Sequence, residues 1–136
     1  MLTLGVALGC GAGFAAGCDD GPTVADDGAT CSELGQQARM EGFDVLAHAD
    51  RSCLDDSQCV VSNQHPRCTD PCGYQAAINS SAVNDVEAAM LDIEAQYCDA
   101  FERQSCSFLA VPCVAMPTPQ AVCRDGQCEL EPETGE

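Results

Sequence analysis

Cysteine constrains this chain more than any other residue type. Twelve occur in 136 residues, and ten of them lie downstream of residue 30, at Cys31, Cys53, Cys59, Cys68, Cys72, Cys98, Cys106, Cys113, Cys123 and Cys128. No two of these ten are separated by two residues. The Cys-x-x-Cys turn, with which zinc knuckles and thioredoxin-type sites present two sulfurs to one centre, is therefore missing. An even set at this density in a small chain predicts a disulfide framework, and with it an oxidising compartment. Spacing does not choose the partners, since ten cysteines allow roughly 945 pairings.

Cross-links are also what the rest of the composition demands. Downstream of residue 17 there are five aromatic side chains, Phe43, Tyr74, Tyr97, Phe101 and Phe108, and much of the 46% apolar content is Ala and Cys. A domain of this size with few bulky side chains buries too little surface to offset its chain entropy easily. Five bridges at roughly 2–4 kcal/mol each rival the whole net stability of a domain, about 5–15 kcal/mol, so reduction is expected to unfold it. The charge is equally lopsided: 22 acids stand against five bases, Arg39, Arg51, Arg67, Arg103 and Arg124, for a net charge of −17. No two of these arginines are close in sequence. Phosphate binding needs clustered cations, so nucleic acid is excluded as a partner. The same acidity repels an anionic bilayer surface.

Leu2 to Gly17 carry no charged side chain, and the run is shorter than the roughly 20 residues of a membrane span. Gly5, Gly9, Gly11, Gly13 and Gly17 also make a poor permanent helix. A cleavable secretory segment accounts for a short apolar run that ends in small residues. Ala15-Ala16-Gly17-Cys18, followed by Asp19-Asp20, resembles the lipobox that closes a bacterial lipoprotein signal peptide. The resemblance covers residues 1 to about 20. It implies cleavage before Cys18, a diacylglyceryl thioether on its sulfur, and acylation of the new amine. One acyl chain binds a membrane marginally, whereas two or three, at about 0.8 kcal/mol per buried CH₂, hold permanently. Cys10, in Ala7-Leu8-Gly9-Cys10, is the alternative acceptor, with Leu8 where that family prefers a small residue. Parity separates the two: lipidation at Cys18 with removal of Cys10 leaves ten cysteines, lipidation at Cys10 leaves eleven.

Four segments follow from this reading: a lipoprotein signal peptide over 1–17, an acidic flexible tether over 18–30, a disulfide-rich domain over 31–130, and a disordered acidic tail over 131–136. Asp19, Asp20, Asp26 and Asp27, interspersed with Gly21, Pro22 and Gly28, favour an extended tether. It reaches at most about 45 Å from Cys18 to Cys31 at roughly 3.5 Å per residue.

Within the domain, Thr30 and Glu33 stand in capping-box register before a helix from about Ser32 to Ala49, with Leu34, Ala38, Phe43, Leu46 and Ala47 toward a core and a break near Gly42. Strands are expected at Cys59–Ser62 and Tyr74–Ile78, joined through a loop from Asn63 to Pro71. A long amphipathic helix from about Ser81 to Phe101 follows, with N-caps offered by Ser80, Ser81 and Asn84 and a stripe of Val83, Val86, Met90, Ile93, Tyr97 and Phe101. Asp125-Gly126 is a two-residue hairpin signal between Ala121–Arg124 and Gln127–Leu130. In that register Arg124 faces Gln127 and Cys123 faces Cys128, so a bridge between the two is geometrically allowed, and stapling elsewhere equally so. The expected fold is a small α+β disulfide-rich domain: one long amphipathic helix and a weaker amino-terminal helix packed on a short antiparallel sheet that includes the closing hairpin.

Chemical candidates are few. His48 and His65 are the only histidines, and no Gly-x-Ser-x-Gly elbow, His-Glu-x-x-His helix, phosphate-cradling glycine loop or EF-hand loop is present. Cys68 and Cys72 with nearby His65 are the one grouping a metal could use; paired disulfides are the expected alternative. Neither a cofactor nor enzymatic activity is expected. Cys53-x₅-Cys59 and Cys72-Gly73 resemble in part the core of whey-acidic-protein-type protease inhibitors, a family whose adjacent Cys-Cys pair this chain lacks. From Cys53 to Leu130 the chain is more similar to the cysteine-rich lipoproteins described as eight-cysteine-cluster proteins. The shared elements are Cys53-x₅-Cys59-Val60-Val61, Cys68-x₃-Cys72-Gly73, Ile78-Asn79 before a helix, and Cys123-x₄-Cys128. That resemblance implies a scaffold and no activity. The expectation is a non-enzymatic binding or structural module of the cell envelope, held on the extracytoplasmic side by lipid at Cys18, with an envelope or extracellular protein as partner. The competing expectation is a tethered protease inhibitor that presents Asn63–Pro71 with Arg67 as its probe.

Overall fold

The computed structural model describes residues 28–108, 112–114 and 118–132. The 1–17 segment, Cys10, Cys18, the tether up to residue 27 and the tail from residue 133 lie outside the described residues. Helix α1 spans Cys31–His48 and starts on the expected capping box. Glu33 N donates to Thr30 Oγ1 at 3.3 Å and Thr30 N donates to Glu33 Oε2 at 2.7 Å, so two otherwise orphaned amides are satisfied. Its buried positions, Leu34, Ala38, Gly42 and Leu46, recur every four residues. No break occurs at Gly42. A Cβ there would lie 2.9 Å from Tyr74 Cε1 and 3.0 Å from Pro66 Cδ. The glycine is a notch that lets the following chain lie against the helix, and the expected break is corrected on that ground.

The second long helix is continuous but not uniform. A 3₁₀ turn over Ser80–Ala82 leads into α2 at Val83–Ile93, a π-helical turn at Glu94–Cys98, and α3 at Asp99–Arg103. Its cap is Asn79 instead of Ser80, Ser81 or Asn84: the Asn79 side chain accepts from Ser81 N at 2.8 Å. Of the expected stripe, Val86, Met90, Ile93, Tyr97 and Phe101 are buried, joined by Cys98 and Ala100, and Val83 is partly buried against them. The wider π turn brings adjacent residues Tyr97 and Cys98 both inward. Cys98 there bonds Cys68.

Strand β1, Cys59–Ser62, pairs antiparallel with β2, Ala76–Asn79, placing Cys59 opposite Asn79 and Ser62 opposite Ala76. The second strand starts two residues later than Tyr74, because that side chain is committed to helix α1. Its ring stacks on Phe43 with centroids 4.3 Å apart, and its hydroxyl donates to Arg39 O at 3.0 Å. Strands β3, Pro119–Arg124, and β4, Gln127–Pro132, form the closing hairpin in the expected register. Asp125 and Gly126 both take positive φ, 50° and 79°, as a type I′ turn requires. β4 continues through Glu131 and Pro132, so these two residues belong to the hairpin and not to a tail.

The hairpin is a sheet of its own, separate from β1–β2. The two ribbons are joined through the chain between α1 and β1: Cys128 N donates to Arg51 O at 2.7 Å, Cys53 N to Gly126 O at 3.1 Å, and Ser52 bridges Gln127. The architecture is thus the small α+β disulfide-rich domain read from sequence, with two small sheets instead of one.

Five disulfides cross-link it: Cys31–Cys106, Cys53–Cys123, Cys59–Cys128, Cys68–Cys98 and Cys72–Cys113. Cys123 and Cys128 face each other and yet bond elsewhere, each reaching from one face of the hairpin to the 53–59 segment laid across it.

Candidate functional site

The loop from Asn63 to Pro71 is pinned, not presented. Arg67 lies against the long helix, where Nη1 meets Glu94 Oε2 at 2.8 Å, Nε meets Glu102 Oε1 at 2.8 Å, and Nη2 bonds Asp99. The Arg67 amide also donates to Glu94 Oε1 at 2.8 Å. The Glu102 bond first, then those to Asp99 and Glu94, hold the guanidinium proton above even its ordinary range. One residue on, Cys68 is bridged to Cys98 of the π turn. Thr69 closes the loop on itself, its amide and hydroxyl donating to Pro66 O at 3.0 and 2.7 Å. A protease inhibitor needs a side chain that projects into the enzyme's specificity pocket. Arg67 is held by three carboxylates of its own molecule, so the geometry argues against its use as that probe.

The two histidines stand apart and line different clefts. His65 Nδ1 lies 3.1 Å from Pro66 O, and its ring is 5.6 Å from that of Tyr74. It borders one cleft of about 390 Å³ toward Glu87 and Met90, and another of about 330 Å³ toward Gln75 and Val114. His48, at the end of α1, lies 3.1 Å from Asp44 Oδ1 and borders a groove of about 390 Å³ with Asp50 and Asp85. None of these clefts combines its histidine with a serine or free thiol among the described residues. The cysteines Cys72 and Cys113 that line the His65–Val114 cleft are bonded to each other.

Cys68 and Cys72, the grouping a metal could have used, go to different partners, Cys98 and Cys113. The sulfurs of Cys53, Cys59 and Cys128 lie within 4.8 Å of one another. All are in bridges, so the cluster is two stacked disulfides and not a set of thiolate ligands.

Three polar links were not legible in the sequence. Tyr97, on the π turn, donates to Glu41 of α1 and accepts from Gln96 Nε2 at 2.9 Å. Burial, and then Glu41, push the Tyr97 hydroxyl up to about 12. Asp56 Oδ1 accepts from Cys123 N at 2.7 Å, and Asn79 Nδ2 donates to Ser52 O at 2.6 Å. Asn79 thus ends its strand while also holding the ribbon junction. The partners lie 67 and 27 residues apart, and no local signal announces such pairs.

No family model, no curated protein and no solved structure matches the chain.

Proposed function

We propose that this is a lipid-anchored envelope protein, with Cys18 as the lipidated amino terminus and the bridged domain acting as a non-enzymatic binding or structural module on the extracytoplasmic side. The observation that carries the reading is the complete pairing of the ten domain cysteines into five bridges. Such a domain fits an oxidising, extracytoplasmic compartment, and it leaves Cys18 outside the cross-linked set. Among the described residues no helix is long and apolar enough to cross a membrane; in this reading the attachment is the lipid on Cys18. The partner is an envelope or extracellular protein; clustered cations for nucleic acid are missing from the sequence.

Intact-mass analysis of the membrane fraction tests the anchor. The expected species begins at Cys18 and carries the mass of a diacylglyceryl group, with or without an amide-linked chain. An unmodified Met1 terminus, or a soluble mature form, refutes it. Thiol labelling without reductant is expected to find no reactive sulfur from Cys31 onward.

A further inference from the structure

From Gln104 to Cys123 the sequence has no charged residue, in a chain that carries 22 acids. Ser107, Phe108, Pro112 and Val114, described members of this stretch, are all exposed, Phe108 at 42% and Val114 at 86%. The stretch is clamped at Cys106 to Cys31 and at Cys113 to Cys72. The first clamp sets it beside the place where the chain leading back to Cys18 joins the domain. Cys31 and Cys106 have Cα atoms 5.6 Å apart, and Gln104 Nε2 donates to Ala29 O at 3.1 Å. Phe108 lies two residues beyond that clamp and edges a hollow of about 280 Å³ with Phe101 and Cys106. The acid on the same hollow, Glu102, is bonded by Arg67, a cation it shares with Glu94 and Asp99.

A ring exposed beside the tether, at the start of a stretch without charged side chains, suits a lipid interface. We propose that the Phe108 surface rests on the interfacial region of the bilayer to which the chain is anchored, fixing which end of the domain faces lipid. The inference rests on the lipid anchor at Cys18. Helix α1 sets the opposite end: its 18 residues run from the Cys31 clamp toward the ribbons, a length of about 27 Å. Leu54, 91% exposed, follows Cys53, which is bridged to Cys123 of the hairpin.

The chain has no tryptophan, so single reporters are clean. Full-length Phe108→Trp and Leu54→Trp proteins, extracted from membranes and reconstituted in phosphatidylcholine vesicles, are compared with and without brominated acyl chains. The expected result is a blue-shifted, bromine-quenched emission at position 108 and an unshifted, unquenched one at position 54. Equal behaviour at the two positions, or quenching at 54 alone, overturns the proposal. Intact mass on the same samples separates the anchor from the surface. A lipidated chain without quenching at 108 keeps the anchor and refutes the surface; a chain without lipid that is still quenched at 108 keeps the surface and refutes the anchor. A chain with neither refutes both.

Discussion

Between α1 and the long helix the interior is made of Leu34, Ile78, Val86, Met90, Ile93, Tyr97 and Phe101; between the two ribbons it is Cys53, Cys59, Cys128 and Ala77, with Ala121 and Cys123 at its margin. The first is a conventional side-chain core, in which a buried leucine or aromatic ring contributes by leaving water. The second has almost nothing to bury except sulfur. A two-stranded hairpin is marginal in water by itself, and here two of them are held by Cys53–Cys123 and Cys59–Cys128. Of the three other bridges, Cys68–Cys98 lies in a core that already packs, Cys31–Cys106 closes at its edge, and Cys72–Cys113 ties two surface segments together. The difference teaches that one domain can use the same bond in two ways: to tie loops down in one half and to replace a core in the other.

Full reduction is the harshest way to break that distinction. Five bridges at about 2–4 kcal/mol each exceed the net stability of most domains, so the whole molecule is expected to unfold, read as loss of helical circular dichroism. Helical signal that survives reduction would show that the side-chain core suffices for its own half. Next come two changes of similar cost and different location. Replacing the Cys59–Cys128 pair by alanines should cost about 2–5 kcal/mol and strip hydrogen-exchange protection from the hairpin before the helices. Leu34→Ala should also cost about 2–5 kcal/mol, and reverse that order. If both variants lose protection uniformly, the two halves are a single cooperative unit.

Gly42→Ala probes the helical half more gently. The new methyl would press on Tyr74 and Pro66, and overpacking of this kind costs about 1–3 kcal/mol, measured by denaturant unfolding. The smallest effect is confined to alkali. Tyr97 holds its proton more tightly when folded, at about 12 against an ordinary 10.0. Its contribution is therefore fully present below pH 10 and is lost as the pH rises toward 12. Tyr97→Phe should flatten that alkaline decline, and a decline unchanged by the substitution would exclude Tyr97 as its source.

What the sequence made legible was local. Thr30 with Glu33 marks the start of α1 within three residues of chain, and Asp125-Gly126 sets the hairpin register because the turn type fixes it. The stripe of the long helix is legible for the same reason, being a pattern inside one element. The features that escaped all depend on something distant. Gly42 looks like a helix breaker until Tyr74 and Pro66 are seen against it. Arg67 looks like a free probe until Glu94, Asp99 and Glu102, 27 to 35 residues away, are brought around it. Tyr74 has the composition of a strand residue and is taken out of the ladder by Phe43 and Arg39. Pairing among the cysteines escaped most completely, since every sulfur is chemically the same and only the finished fold chooses between them.

That pairing has an order in it. Cys31, Cys53, Cys59, Cys68 and Cys72 each bond one of Cys98, Cys106, Cys113, Cys123 and Cys128, and the shortest bridge spans 30 residues. A chain that meets an oxidant amino end first therefore exposes five thiols before any correct partner has arrived. Short loops close most readily, so any early pairing of Cys53 with Cys59 or of Cys68 with Cys72 would have to be exchanged away through mixed disulfides. The last bridge, Cys59–Cys128, cannot close before the end of the domain has arrived, and a thiol–disulfide isomerase is expected to speed the refolding of the reduced chain.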